Sequence, residues 1–163
     1  MSLAASRPAK LYRYSDRQWL ERALTLGEFR LRPPPVDPSV PAAAYLTLSL
    51  TQAWKDSLFD TFAGADTCLI IHDTEQFGER IHKAAQRVLP SWAGIDAAVC
   101  YGKTSPLGAV FSKQRGDAAQ EEWLFAWRPT QAMPSLNPVF IRIGSIEGIA
   151  ELRDKNAAVG PIH

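Results

Sequence analysis

In Tyr45-Leu-Thr-Leu-Ser-Leu-Thr51 every second residue is a leucine and every intervening one carries a hydroxyl. Successive side chains of a strand point to opposite faces, so this stretch predicts a strand with Leu46, Leu48 and Leu50 on a core and Tyr45, Thr47, Ser49 and Thr51 on the other side. The hydroxyl face either meets solvent or lines a site. A second two-faced run is Glu122-Trp-Leu-Phe-Ala-Trp127, in which Trp123, Phe125 and Trp127 share one face and Glu122 points to the other. Extended backbone would give Gln120 the parity of Glu122 and turn Glu121 away. Gly116 and Asp117 mark a loop before it. Gln120-Glu121-Glu122 is then either an ordinary polar strand start or a carboxylate placed for chemistry after a mobile loop.

The rest of the chain predicts helices early and strands late. Lys10 to Tyr14 reads as a strand, Ser15 with Gln18 as a capping box, and Trp19, Leu20, Ala23 and Leu24 as the inner face of a helix that stops at Gly27. Glu28 to Arg32 is a strand. Pro33 to Pro41 holds five of the twelve prolines and is read as an extended surface loop. Trp54, Leu58, Phe59 and Phe62 at helical spacing predict a helix over Thr51 to Ala63, its stripe being core. Asp66 to His72 is a buried strand, and Asp73 with Gln76 starts a helix whose inner face is Phe77, Ile81, Ala84, Ala85 and Val88. Strands are expected over Ile95 to Tyr101, Gly108 to Ser112, Glu122 to Arg128 and Pro138 to Ile143, a last helix over Ser145 to Asp154, and a loose tail from Lys155. The pattern is that of one α+β domain spanning 1–163, with its core over about residues 10–154.

With 163 residues, 46% of them hydrophobic, the chain can bury one good core. Eighteen basic against 17 acidic residues leave a net charge of +1, so any charged partner must be met locally. Cys68 and Cys100 lie in apolar runs and read as reduced thiols. No run has transmembrane length and Met1 to Lys10 lacks the apolar core of a signal peptide, so a soluble cytoplasmic domain without a membrane partner is expected.

Three motifs fail. Gly102-Lys103-Thr104 lacks the first glycine of a phosphate loop, since Ala97 stands there, and Pro106 blocks the helix that should follow. Cys68, His72 and His82 have no second pair at zinc-like spacing, so no metal is expected and the histidines read as structural. No serine or cysteine sits in a nucleophile elbow.

Arg13 on the first strand, the hydroxyl face of Tyr45 to Thr51, and Gln120-Glu121-Glu122 occur in an order that resembles the ADP-ribosyltransferase superfamily. Its arginine class carries an Arg on a first strand, a Ser/Thr-rich strand and a Gln/Glu-x-Glu motif. The likeness runs from about Leu11 to Trp127 and is closest to small bacterial toxin-like or defence-associated members. It implies a split β-sandwich with helices mainly in the N-terminal half. It implies NAD as a consumed substrate, Arg13 on its phosphates, Tyr45 against the nicotinamide, Ser49 orienting the catalytic Glu122, and Gln120 meeting the acceptor. The family's aromatic-hydrophobic-Ser-Thr-Ser form is departed from, because Tyr45-Leu46 is followed by Thr47-Leu48-Ser49. Thr47 and Thr51 are therefore competing assignments, and Arg13 could instead be a surface ion-pair residue. Target reading would fall to Arg115 and Asp117 in the turn from Gln114 to Ala119.

The resemblance implies mono-ADP-ribosyl transfer to a macromolecular acceptor, a protein in preference to a nucleic acid, in a toxin or phage-defence effector. NAD hydrolysis is the alternative. A non-enzymatic interaction or immunity module that keeps the fold is the third, and an antitoxin or immunity protein is a possible partner.

Overall fold

The computed structural model describes residues 7–34, 45–131 and 136–155. The first six residues, most of the proline-rich stretch and the tail after Lys155 lie outside the described residues. The chain is α+β. Its main sheet has six antiparallel strands in the order β10-β4-β1-β3-β8-β5, formed by β1 (Leu11–Ser15), β3 (Leu46–Thr51), β4 (Thr67–Ile71), β5 (Trp92–Ala98), β8 (Glu122–Pro129) and β10 (Ala150–Asp154). Two small ribbons flank it, β2 (Glu28–Leu31) with β9 (Val139–Arg142), and β6 (Cys100–Tyr101) with β7 (Ser112–Lys113). The helices α1 (Arg17–Leu26), α2 (Leu58–Thr61) and α3 (Thr74–Val88) all precede residue 89.

The alternation in the sequence becomes two sheet faces. Leu48 and Leu50 of β3, Leu69 and Ile71 of β4, and Trp123 and Phe125 of β8 form one core with Leu20, Phe29, Phe77 and Ile81 from α1, β2 and α3. On the opposite face two separate clusters form. Tyr12, Tyr14, Cys68 and Ile70 pack with Leu58 and Phe59 of α2, and Leu124 and Ala126 pack with Val99, Val110 and Phe111. Cys68 is enclosed, and burial pushes its thiol up to about 12.

Local chemistry sets the helix ends. Asp16, not Ser15, caps α1, its carboxylate accepting from the Trp19 N–H at 3.0 Å, because Ser15 is the last residue of β1. Gly27 closes α1 with φ 62°, and a side chain there would come within 2.1 Å of the Gly144 carbonyl oxygen. Asp73 caps α3 through the Gln76 N–H as the spacing predicts. Trp19 and Val88, expected inside, are about half exposed at 50% and 46%.

Three elements differ from expectation, each because tertiary pairing outweighs local pattern. The helix expected from Thr51 shrinks to α2, since Thr51 completes β3 opposite both Tyr12 and Glu122 and the Gln52 N–H bonds the Glu121 carbonyl. The aromatic spacing there is satisfied by packing around Tyr14, which meets Phe59 edge-on at 4.9 Å. Gly108 to Ser112 is mostly a 3-10 turn over Ala109–Phe111, folded back by the Ser112 hydroxyl, which donates to the Gly108 carbonyl. Ser145 to Asp154 gives no helix but the edge strand β10, which satisfies the open side of β4.

A buried carboxylate ties the N-terminal segment to the core side of β5. Asp96 accepts from Arg7 at 2.7 and 2.9 Å, from the indole N–H of Trp123 at 2.9 Å, and meets His82 Nε2 at 2.7 Å. Gly78 lets the Arg7 guanidinium lie on α3, since a Cβ would stand 2.3 Å from it. Burial alone would raise the Asp96 carboxyl, but the bonds from His82, Arg7 and Trp123 hold it well below the usual range. Asp96→Asn is expected to lower unfolding free energy by about 2–4 kcal/mol near neutral pH, read by urea denaturation. A depressed folded value means that the unfolded chain binds the proton first as pH falls, so this contribution is complete above the ordinary aspartate range and is lost below it. The gap between wild type and variant should therefore narrow from pH 5 towards pH 2.

Candidate functional site

The two clusters on the second face leave a line between them, and polar side chains occupy it. The register puts Thr51 of β3 opposite Glu122 of β8 and Ser49 opposite Leu124, so Ser49, Thr51 and Glu122 share this face. Glu122 is 3% exposed. Its carboxylate accepts from the Ser49 hydroxyl at 2.5 Å and is ion-paired with the Lys113 ammonium. The Glu122 N–H donates to the Tyr101 phenol oxygen at 2.9 Å, and its carbonyl accepts from the Val99 N–H at 3.0 Å. Burial is the main cause that raises the Tyr101 phenol, which keeps it neutral and able to accept.

A backbone reversal aims the carboxylate inward. Glu121 has φ 42°, the one non-glycine residue in the left-handed region among the described residues. Such a conformation costs about 1 kcal/mol or more and persists only where neighbours impose it. Here Lys55 pairs with the Glu121 carboxylate at 2.7 Å, and the Gln52 N–H bonds its carbonyl at 2.8 Å. Glu121 thus points outward, as parity predicts, but through a turn.

The same turn corrects the expectation for Gln120. It ends a 3-10 turn over Arg115–Gln120 instead of extending the strand, so it does not share the direction of Glu122 by strand alternation. Arg115 and Asp117 stand exposed on this turn, which is regular and not a loose loop, with the Arg115 side chain against Gly102. At Gly102, with φ 73°, any side chain would meet that arginine.

Arg13 lies where β1 and β3 part. The two strands share one register pair, Tyr12 with Thr51, and beyond it the Arg13 guanidinium spans the gap and donates to the Ser49 carbonyl at 2.7 Å. Further along β3, Thr47 bridges to Arg32. Burial, and secondarily the nearby Arg32 charge, lower the Arg13 guanidinium to about 10, which leaves it cationic at neutral pH. Among the described residues no carboxylate is bonded to either arginine, so Arg13 is not the surface ion-pair residue that the sequence left open. Two neighbouring cations, one of them half-buried, with no bonded carboxylate among the described residues favour an anion between them.

Of the three hydroxyl candidates on β3, only Ser49 reaches Glu122. Thr47 donates to the Arg32 carbonyl at 3.1 Å and Thr51 to the Ala53 carbonyl at 3.0 Å. Tyr45 packs half-buried on the Val110 and Phe111 cluster. Lys113 and Tyr101 were not legible as site residues. They arrive through the parallel β6–β7 ribbon, a non-local pairing for which two-residue strands leave no periodic signal.

Among the described residues no group of three or more His, Cys, Asp or Glu side chains could hold a metal ion, and no helix is long and apolar enough to cross a membrane. Comparison with models of known protein families, with curated proteins and with solved structures found no match.

The ion pair is testable by a double-mutant cycle. Lys113→Met leaves the buried Glu122 carboxylate without its cation and is expected to cost about 1–3 kcal/mol. In the Lys113→Met/Glu122→Gln double variant most of that cost should vanish, since no uncompensated charge remains. Additive costs in chemical denaturation would show that the two side chains do not interact.

Proposed function

We propose that the chain is an NAD-dependent mono-ADP-ribosyltransferase acting on a macromolecular acceptor, with Glu122 as its catalytic carboxylate. The observation that carries this reading is the connection Arg13–Ser49–Glu122. Ser49 links residues 36 and 73 positions away from it, its backbone carbonyl accepting from Arg13 and its hydroxyl donating to Glu122. These are the residue types that the reaction needs. Breaking the bond between nicotinamide and ribose sends the electron pair to the nicotinamide and leaves oxocarbenium-like charge on the sugar. The acceptor atom then bonds the same carbon and loses its proton to solvent. A carboxylate whose bond to a ribose hydroxyl tightens as that charge develops lowers the barrier.

Each neighbour has a part in this reading. Ser49 holds one carboxylate oxygen in place. Lys113 occupies the other and is a third exposed, at 33%, so its ammonium can move to water when a ribose hydroxyl takes its position. Arg13 and Arg32, to which no carboxylate is bonded among the described residues, supply positive charge for the dinucleotide phosphates, with Arg13 offering a planar fork. Arg115 and Asp117, exposed on the turn that leads to Glu122, are suited to meeting the acceptor.

Labelled NAD incubated with total cell protein and total RNA tests the reading. Glu122→Gln is nearly isosteric, and turnover should fall by about 100- to 1000-fold with the circular dichroism spectrum unchanged. Equal NAD consumption by wild type and variant would remove the proposal. Label released only as free ADP-ribose would assign hydrolysis instead of transfer.

Arg13→Lys keeps the charge but loses the fork. It should weaken NAD binding by about tenfold or more in calorimetry while the melting temperature changes little. Unchanged binding with a lowered melting temperature would make Arg13 a purely structural bridge.

A further inference from the structure

The face of the molecule opposite Glu122 carries a second constellation. On the outer side of the β2–β9 ribbon, Arg30 stands opposite Phe140 and Glu28 opposite Arg142. Phe140 is 51% exposed and Trp19 of α1 is 50% exposed, and their rings lie nearly parallel at 17° with centroids 6.5 Å apart. Apolar rings of this size are seldom left half in water as a pair unless something covers them. Open depressions of about 480 and 410 Å³ border Phe140, the first between the ribbon and Arg87 of α3, the second between Trp19 and Arg22.

The net charge around these rings is positive. Arg22 grips Glu28 through two bonds of 2.7 and 2.9 Å, and Arg142 reaches the same carboxylate at 3.0 Å. Glu28 is thereby spent, and its two guanidiniums are held in fixed planes with one positive charge left between them. Arg30 and Arg87 have no bonded carboxylate among the described residues. The face therefore carries about three uncompensated positive charges around two exposed rings, in a chain whose net charge is only +1.

We propose that this face, the outer side of the β2–β9 ribbon with Trp19, is a platform for single-stranded nucleic acid, bases stacking on Trp19 and Phe140 and phosphates meeting Arg30, Arg87 and the Arg22–Arg142 pair. Such a strand offers π-faces and closely spaced negative charge on one chain, the two complements that this surface lacks. An acidic peptide supplies the charge but no planar groups for the paired rings. Stacking tolerates any base, so binding is expected without sequence preference. The site is separate from Glu122 and does not depend on the chemistry proposed there.

The test is fluorescence anisotropy of a labelled twelve-nucleotide oligouridylate with the full chain, beside a labelled acidic peptide of equal length. A dissociation constant on the order of 10 µM at 50 mM salt is expected, with a log–log salt slope of about −2 for about three phosphate contacts. Trp19→Ala and Phe140→Ala should each weaken binding about five- to a hundredfold, their melting temperatures serving as the check on folding. Arg30→Gln, at a solvent-exposed site, should weaken binding and reduce the slope by about 0.7. Glu122→Gln should bind as wild type does. The proposal is overturned by any of four results: no saturation below about 100 µM oligonucleotide at low salt, binding indifferent to both ring changes, loss of binding through Arg13→Lys instead of Arg30→Gln, or a preference for the acidic peptide through the same residues.

Discussion

The register between β3 and β8 is the constraint on which everything else rests. Six residues of each strand pair without a break, Leu46 with Trp127 at one end and Thr51 with Glu122 at the other. Side chains alternate strictly, so a slip of one residue would carry the Glu122 carboxylate into the leucine core and bring Trp123 and Phe125 out of it. Burying that charge unpaired, with the loss of two aromatic core residues, would cost several kcal/mol. The hydrophobic demand of one face thus determines the geometry of the polar face, and the Ser49–Glu122 bond follows from packing on the other side of the sheet.

Two buried carboxylates show how surroundings separate structural from chemical roles. Asp96, on the core face, is surrounded by Arg7, His82 and the Trp123 indole, and its side chain is 6% exposed. Every direction open to it is taken by a group anchored in the fold, which suits a tie between the N-terminal segment and β5. Glu122, on the second face, is as deeply buried but bonded by one hydroxyl and one flexible lysine that reaches solvent. One of its oxygens can exchange partners at modest cost, because an ammonium returned to water recovers its hydration. At the gap between β1 and β3, Arg13 donates to the backbone carbonyl of the same Ser49, with no bonded carboxylate among the described residues.

The near-zero net charge conceals how unevenly charge is arranged. Among the described residues, arginines without a bonded carboxylate stand together at two of the places described, Arg13 with Arg32 near the gap between β1 and β3, and Arg30 with Arg87 near Trp19 and Phe140. Elsewhere the ions are largely paired on the surface, as in Arg17 with Glu21 and Asp154, pairs worth little to stability in water. Long-range attraction is weak for such a molecule, and both proposed partners must be held by short-range contacts.

Much of the fold was legible because its rules are local. Period-two alternation marked β3 and β8, an apolar run marked β4, Asp73 and Gly27 marked helix ends, and the leucine face predicted the core; these depend only on side-chain direction and backbone capping. Of the site, the residue types and faces of Ser49 and Glu122 could be read from the chain, since strand parity is a property of sequence. What the tertiary structure alone decided was contact. It selected Ser49 over Thr47 and Thr51, bent Gln120 out of line through the left-handed Glu121, brought Lys113 and Tyr101 to the carboxylate on a two-residue ribbon, and made the expected C-terminal helix an edge strand. Each outcome turns on a backbone or side-chain partner distant in sequence, and the free energy of satisfying that partner exceeds the few tenths of a kcal/mol per residue by which local propensity speaks.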